Sequence, residues 1–294
     1  MRNIVKKTTL VSSLVLALSA NSMYAQSFEW ISSTEGNTWQ KSKAKLQTNA
    51  AQTPILDVNG SEEGTVFKAW GTCFNELGWD ALNMLPRKEQ ETILHKLFSP
   101  EGELRFTMGR FSMNANDYAR DWYSCDEVPG DFQLKYFNIN RDKTTLIPFI
   151  KAAQQYNPNM TFWMSPWSPP SWMKINHYYS VRSDRNQNQM SPLSDVALFE
   201  GSKEKNTKVF PQQLAVNDYF IQDPRYLQTY ANYFCKFIDA YKQQGIAISM
   251  VMFQNESWSY TNYPGCAWTA EGIIRFNTEY LAPTLKKQHP EIKL

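Results

Sequence analysis

The chain has 294 residues, of which 42% are apolar and 20% are charged, and its net charge is +2. This length and composition allow one large folded domain or two ordinary ones, and they exclude a disordered or fibrous chain. Because the chain has no block of like charges, nucleic acid is not expected as a partner.

The N-terminus has the pattern of an export signal. Arg2 and two lysines precede an apolar run from Leu10 to Ala20, and the small residue Ala25 follows. A basic start, an apolar stretch and a small-residue cleavage site are typical of a secretory signal peptide. The apolar run is shorter than the ~20 residues of a membrane span. We therefore expect a signal peptide over residues 1–25, cleaved near Ala25, and a secreted or periplasmic protein without an integral membrane segment.

Residues 26–64 are polar, with little periodicity, and form an N-terminal segment that could supply one strand of an accessory β-sandwich. From residue 65 onward, the pattern changes to strands that alternate with helices, which predicts a parallel α/β sheet. Short apolar runs predict the strands Thr65–Gly71, Leu104–Met108, Met160–Met164 and Ile246–Phe253.

Helical spacing of apolar residues predicts four helices between and after these strands. The third is the best defined, because Asp223 is a typical N-cap, Pro224 suits the first turn and Gly245 is a natural stop. The other three run from Pro86 to just before Pro100, over Thr145–Tyr156, and over Thr269–Lys287 with a kink or break at Pro283.

Two parallel architectures fit this alternation, a doubly wound sheet and a (β/α)₈ TIM barrel. No glycine-rich phosphate loop follows any predicted strand, which argues against a nucleotide-binding doubly wound sheet. A complete barrel usually needs about 250 residues. We therefore expect about half a barrel in residues 65–294, with four strand–helix units and the first residues of a fifth strand over Glu291–Leu294.

The cysteines and histidines suggest no cofactor. The spacing of Cys73, Cys125, Cys235 and Cys266 matches no zinc or redox motif, so we expect small buried side chains, although export would permit disulfides. The three histidines are far apart in the sequence, and we expect neither a metal nor another cofactor. They are His95, His177 and His289.

Chemistry-bearing residues follow each predicted strand, where a TIM barrel has its active site. Glu256 follows the fourth strand; burial there would raise its pKa, as a general acid requires, although it could also be a solvated residue that begins a loop. Asn255 beside it could bond a sugar hydroxyl. Tryptophans suited to stacking on a sugar also lie in polar contexts: Trp122, Trp167, Trp172, Trp258 and Trp268.

The motifs in this region resemble those of glycoside hydrolase family 30, whose members include glucosylceramidases, β-xylosidases and β-1,6-glucanases. The resemblance covers about residues 65–294. The most specific motif is Ser-Pro-Trp-Ser-Pro-Pro-Ser-Trp-Met-Lys at 165–174. The segments Asp131-Phe132-Gln133-Leu134 and Phe137-Asn138-Ile139 are similar to the family's link between its second and third strands. The Asn255-Glu256 pair resembles the pair that ends strand four in a wide clan of retaining glycosidases.

The resemblance implies roles for individual residues. Glu256 would be the general acid/base, and Asn255 would hold the sugar 2-hydroxyl. Glu76 would bind sugar hydroxyls, and Trp167 would form a wall of the same subsite. Asp117 and Asn116 lie in the polar segment after the second strand, where they could bind sugar or equally cap a turn.

The sequence departs from the family pattern at two places. Ser257 stands where many relatives have a proline after the Asn-Glu pair. The segment Ile175–Ile221 is longer than expected for the third loop, and long loops in compact domains are often functional. We expect this segment to shape the leaving-group side of the cleft.

A retaining glycosidase also needs a second carboxylate, about 5–5.5 Å from the first, as its nucleophile. The resemblance implies a glutamate at the end of strand seven, which we expect to lie outside these residues. Most of the family's β-sandwich is also expected to be missing.

Two functional hypotheses remain. The first is a retaining β-glycoside hydrolase represented by an incomplete chain, acting on β-glucosides or β-glucans. The second is an inactive, truncated sugar-binding protein. A serine hydrolase or metalloprotease has no support, because neither Gly-x-Ser-x-Gly nor His-Glu-x-x-His occurs. Glucosylceramide, β-1,6-glucan, β-xyloside and β-fucoside are all within the resemblance, and the mode of cleavage, endo or exo, stays open.

Overall fold

A computed structural model describes residues 27–45, 64, 66–192 and 217–294. The chain divides into two compact units between Val66 and Phe67. The predicted signal peptide and the segment between residues 46 and 63 lie outside the described residues, so the expectations of cleavage and export stay predictions.

The first unit contains an antiparallel hairpin. Strand β1 (Ser27–Thr34) pairs with strand β2 (Asn37–Lys45) across a turn at Gly36, whose φ of 78° suits a residue without a side chain. We expected one strand here, and the hairpin has two. Trp30 and Trp39 are exposed on it.

The second unit contains a four-stranded parallel sheet. Its strands are β3 (Gly71–Phe74), β4 (Met108–Met113), β5 (Thr161–Pro166) and β6 (Ile248–Val251). They pair in the order in which they occur in the chain, β3-β4-β5-β6. Because all four run in the same direction, their carboxyl ends meet at one edge of the sheet, which we call the carboxyl edge.

The predicted parallel α/β architecture is confirmed, but two strand bounds were wrong. Strands β3 and β4 begin near the residues where we had predicted them to end. Val66 and Phe67, which we assigned to the run leading into the first strand, are exposed, and strand pairing begins only at Gly71 with Met108. Pairing with a neighbour, rather than apolar character, sets these bounds.

A helix that we had not predicted follows β3 directly. Helix α1 spans Glu76–Asn83, between the first predicted strand and the helix predicted from Pro86. Its N-cap is Asn75, whose side-chain oxygen accepts a hydrogen bond from the backbone N–H of Gly78 at 2.7 Å. The next two helices match the predictions closely: α2 (Arg87–Phe98) and α3 (Leu146–Tyr156).

Helix α4 (Pro224–Gln243) has the predicted start. The carboxylate of Asp223 accepts a hydrogen bond from the backbone N–H of Arg225 at 2.8 Å, and Gly245 beyond the helix has a φ of 74°. Tyr241 on this helix stacks on Phe111 of β4, with ring centroids 4.7 Å apart. This contact buries the apolar face of the helix against the sheet.

The last predicted helix is divided, as expected, but the break precedes Pro283. It consists of α5 (Ala270–Arg275), a π-helical turn over Phe276–Leu281 and α6 (Ala282–Gln288). A proline lacks the N–H of a regular turn, and a π-helical turn is one way in which a helix accommodates such a defect. Beyond α6, Lys293 forms a parallel bridge with Met250 of β6, where we expected a fifth strand to begin.

The sheet is closely packed around Gly109 in β4. A Cβ atom at this position would lie 2.5 Å from the ring of Phe74 and 2.9 Å from the ring of Phe162. Both rings are fully buried. The absence of a side chain therefore lets aromatic rings from β3 and β5 approach β4, next to Arg110 of the site.

Three of the four cysteines are buried, as expected, but Cys73 is exposed because it lies on β3 at one side of the sheet. All four are free thiols. Among the helices that the structure describes, none combines the length and the apolar character needed to cross a membrane.

Candidate active site

The carboxyl edge of the sheet is organised around Arg110, a residue that we had not singled out. Its guanidinium Nη2 donates to Ser165 Oγ at 2.8 Å and to Asn255 Oδ1 at 2.7 Å. These contacts join strand β4 to the end of β5 and to the loop after β6. Sequence spacing offers no sign of them, because 145 residues separate Arg110 from Asn255.

Two aromatic rings enclose this guanidinium. The Arg110 carbon Cζ lies 4.8 Å from the centroid of the Trp163 ring and 4.3 Å from that of the Trp167 ring. Both distances are in the range of a cation–π contact. Burial lowers the pKa of Arg110, while Cys73, Asp117 and Glu256 nearby oppose this shift. The guanidinium stays charged, since an arginine loses its proton only at extreme pH.

Arg110 also fixes the amide of Asn255. A guanidinium can only donate hydrogen bonds, so the atom that faces it must be the amide oxygen. The Nδ2 group of Asn255 is therefore a donor. The backbone N–H of Asn255 donates to Pro166 O at 2.8 Å, which ties the loop after β6 to the end of β5.

Glu256 lies at the carboxyl edge directly after Asn255, with an unusual backbone conformation. Its φ is 46°, in the left-handed region that glycine favours. Such a conformation costs on the order of 1–3 kcal/mol, and strained residues of this kind concentrate at functional sites. We had considered both a buried Glu256 and a solvated Glu256 that begins a loop; the structure places it exposed, in the loop after β6.

A tyrosine that the sequence did not reveal contacts Glu256. The Tyr263 hydroxyl donates to Glu256 Oε2 at 2.7 Å. Burial raises the pKa of Tyr263, and the hydrogen bond to Glu256 raises this pKa further. The phenol therefore keeps its proton, and it remains a donor, throughout the pH range in which proteins are usually studied.

Asp117 lies close enough to Glu256 and Arg110 for both charges to affect its pKa. Partial loss of contact with water raises the pKa of Asp117, the negative charge of Glu256 raises it further, and the positive charge of Arg110 opposes the shift. Its side chain is exposed. Asn116 is buried, and its Oδ1 accepts the backbone N–H of Tyr118 at 2.9 Å, which is the turn-capping contact that we had considered.

Trp167 also lies at this edge, but only 6% of its surface is exposed. One face of its ring contacts Arg110, as described above. Gln254 Nε2 donates to the backbone oxygen of Trp167 at 2.6 Å, a second tie between the loops that follow β5 and β6. Its stacking on a sugar stays a prediction.

Glu76 has contacts that differ from those of Asp117. Only 2% of its surface is exposed, and its carboxylate accepts hydrogen bonds from Arg141 Nε at 2.7 Å and Arg141 Nη2 at 2.9 Å. The backbone N–H of Arg120 donates to the same carboxylate at 2.9 Å. These contacts give Glu76 a structural role, and its binding of sugar stays a prediction.

Two of the other tryptophans belong to the core. Trp172 is buried and donates through Nε1 to the backbone oxygen of Asp126, and Trp268 stacks on Phe220. Trp258 is 48% exposed after Glu256. Trp122 lies edge-on to Tyr178.

The described part of the long third loop packs against the loop that contains Tyr263. Lys174 is fully buried, and its Nζ donates to the backbone oxygens of Tyr179 and Gly265, each at 2.7 Å. Burial lowers the pKa of Lys174 to about 8. One cation thus connects the loops after β5 and β6. Residues 193–216 of the long segment are outside the description.

Within the described ranges, no group of three or more histidine, cysteine, aspartate or glutamate side chains has the arrangement of a metal site. At the carboxyl edge, the groups that can take part in chemistry are the exposed carboxylate of Glu256 with its phenol donor, the nearby carboxylate of Asp117, the amide donor of Asn255 and the fixed positive charge of Arg110.

The fold and the polar residues at the carboxyl edge indicate the class of protein. A parallel α/β sheet with polar residues at its carboxyl edge is the plan of a TIM-barrel protein. Residues 67–188 match the TIM-barrel domain of glycosyl hydrolase family 30. This match and the similarity to curated glucosylceramidases confirm the resemblance drawn from the motifs of this chain.

Two curated relatives illustrate the similarity. The chain is 28% identical over 258 residues to a putative glucosylceramidase 3 from Caenorhabditis elegans, covering 84% of this chain and 42% of the relative. It is 26% identical over 217 residues to the endo-1,6-β-D-glucanase of Aspergillus fumigatus, covering 72% of this chain and 39% of the relative. The chain thus spans less than half the length of these relatives.

A solved structure shows the same fold. SrfJ from Salmonella typhimurium superposes with a TM-score of 0.68 at 19% identity, over 91% of this chain and 53% of that one. At this level of identity the match concerns the fold alone.

Proposed function

We propose that this protein is a retaining β-glycoside hydrolase that acts on β-glucosides or β-glucans, with Glu256 as its general acid/base. The observation that carries the proposal is the pairing of Glu256 with the Tyr263 hydroxyl beside the Arg110–Asn255 contact. The names of the relatives, a glucosylceramidase and an endo-1,6-β-glucanase, support a β-linked glucose unit as the substrate class.

In the proposed mechanism, Glu256 protonates the glycosidic oxygen as the leaving group departs. The same residue then removes a proton from the water that releases the sugar. Asn255 Nδ2, left free to donate by the contact of its oxygen with Arg110, would bond the 2-hydroxyl of the sugar. Asp117 would accept hydrogen bonds from other hydroxyls, and the rings near Arg110 would limit access of water.

Retention requires a second carboxylate as nucleophile. We propose that it comes from sequence outside these 294 residues and that the four strands β3–β6 form half of an eight-stranded barrel. The greater length of the curated relatives supports this proposal. We further propose that the protein is exported and loses its first 25 residues, on the basis of the basic and apolar pattern of its N-terminus. N-terminal sequencing of the mature protein tests this directly.

The central experiment compares aryl β-glucosides with good and poor leaving groups. Glu256→Gln should reduce kcat/KM for the poor leaving group by about 10²–10⁴-fold, the usual contribution of general acid catalysis. It should spare the activated substrate, which departs without protonation. Glu103→Gln is the matched control, because this exposed glutamate lies between α2 and β4, at the opposite edge of the sheet.

The outcomes discriminate between the hypotheses. Equal loss on both substrates would mean that Glu256 has been given the wrong role. If a protein that includes the proposed nucleophile binds β-glucosides but cleaves neither substrate, the sugar-binding alternative is correct. The configuration of the first product, followed by proton NMR, tests retention.

A further inference from the structure

The loop after Glu256 has a feature that the proposed mechanism does not explain. Tyr263 is seven residues beyond Glu256, yet its hydroxyl returns to the carboxylate and donates to Oε2 at 2.7 Å. The backbone between them folds back on itself, because the Ser259 N–H donates to Glu256 O at 3.0 Å. An exposed glutamate without such a partner would sample several rotamers.

Several contacts hold Tyr263 in place. Thr261 Oγ1 donates to the backbone oxygen of Tyr263 at 3.0 Å. The backbone oxygen of Thr261 accepts from the N–H groups of Val181 and Arg182, each at 3.0 Å. Asn188 Nδ2 donates to the backbone oxygen of Asn262 at 2.8 Å. Val181, Arg182 and Asn188 belong to the long loop after β5, so that loop helps to fix the position of the tyrosine.

The other side of Tyr263 is anchored as well. Gly265 donates its N–H to Tyr179 O at 3.0 Å, and its oxygen accepts from Lys174 Nζ at 2.7 Å. Because Lys174 is fully buried, this contact is shielded from competing water. The tyrosine is therefore placed before any substrate binds.

We propose that Tyr263 is a positioning residue for Glu256: its hydroxyl holds Oε2 so that Oε1 faces the glycosidic oxygen and exchanges the catalytic proton. This inference rests on the proposed function of Glu256. The phenol serves both halves of the reaction, since it can donate to Oε2 whether the carboxyl group is protonated on Oε1 or ionised. No proton leaves Tyr263 in either step.

The kinetic test uses Tyr263→Phe, which removes only the hydroxyl. We expect kcat/KM for an aryl β-glucoside with a poor leaving group to fall about tenfold, while kcat/KM for an activated one stays unchanged, because only the first needs an aligned acid. Tyr156→Phe is the control, since Tyr156 ends α3 at the opposite edge of the sheet. Equal loss on both substrates, or no loss, would overturn the inference.

A second measurement needs no variant of Tyr263 and no turnover. In the unaltered protein with ¹³C-labelled tyrosine, the Tyr263 Cζ signal should differ from that of a tyrosine whose hydroxyl has no carboxylate acceptor. Glu256→Gln should move this signal, whereas Glu103→Gln should leave it unchanged. A Tyr263 signal that Glu256→Gln does not move would contradict the hydrogen bond on which the inference depends.

The two hypotheses can fail separately. If Glu256→Gln shows no dependence on the leaving group, the proposed role of Glu256 fails, whatever the Tyr263 signal does. If Glu256→Gln shows that dependence and Tyr263→Phe does not, the acid/base assignment stands and the positioning role of Tyr263 is wrong.

Discussion

The contacts of Glu76 and Asp117 predict opposite consequences for two similar substitutions. Glu76→Gln removes the charge from a carboxylate that accepts three hydrogen bonds from Arg141 and the backbone of Arg120. Breaking a buried ion pair typically costs about 3–5 kcal/mol. Arg141 is partly exposed and still pairs with Asp121 at 2.7 Å, so we expect a smaller loss of about 2–3 kcal/mol.

Asp117→Asn is the matched comparison. Its side chain is exposed, so its replacement should change the free energy of unfolding by less than about 0.5 kcal/mol. It should instead weaken the binding of a β-glucoside, because an amide accepts fewer hydrogen bonds than a carboxylate. Glu76→Gln should leave that affinity unchanged at a temperature where the variant is folded.

Two assays separate these effects. Urea unfolding followed by circular dichroism gives the free energies, and calorimetric titration with an aryl β-glucoside in a Glu256→Gln background gives the affinities without turnover. If Glu76→Gln is as stable as the unaltered protein but binds the glucoside more weakly, the structural role argued here is refuted. Glu76 would then be the sugar-binding residue that the family resemblance implies.

Two further predictions concern stability. Burial raises the pKa of Asp142 from 3.8 to about 6, so the folded state binds this proton more tightly than the unfolded state does. As pH rises between these two values, the unfolded state loses the proton first. The free energy of unfolding therefore falls by about 3 kcal/mol in total. Urea unfolding gives the free energy of unfolding of Asp142→Asn minus that of the unaltered protein. This difference should rise by about 3 kcal/mol between pH 3.5 and pH 7 in favour of the variant. The same difference at both pH values would contradict the prediction. Gly109→Ala would place a Cβ against the rings of Phe74 and Phe162, and thermal unfolding should show a loss of about 1–3 kcal/mol.

Local rules were reliable where the signal lies within a few residues. The start of α4 followed from Asp223 and Pro224, because capping depends on neighbours two positions away. The same rules could have revealed α1, since Asn75 caps it through Gly78, but the helix follows β3 with no intervening turn residue. Apolar character could not locate the first residues of β3 and β4, because strand pairing depends on a partner that is distant in sequence.

The site could be predicted in part for a similar reason. Glu256 and Asn255 were singled out because they follow an apolar strand and match a family motif, and the structure places both at the carboxyl edge beside Arg110 and Tyr263. Arg110 was missed because its partner Asn255 is 145 residues away. Glu76 and Asp117 are both carboxylates after strands, and what separates them is the burial of Glu76 and its contacts with Arg141 and the backbone of Arg120.

Arg110 and Tyr263, which we had not predicted, both act at Glu256, whose backbone conformation is unusual. A left-handed φ of 46° is unfavourable for a glutamate, so the surrounding contacts must oppose its relaxation. Asn255 is held by Arg110 on one side of Glu256, and Tyr263 holds the carboxylate itself. Groups stabilise a transition state most when they are already in place and need not rearrange as charge develops. Under the proposed function, the strain at Glu256 and its fixed neighbours would hold the proposed acid/base carboxylate in one position before the substrate arrives.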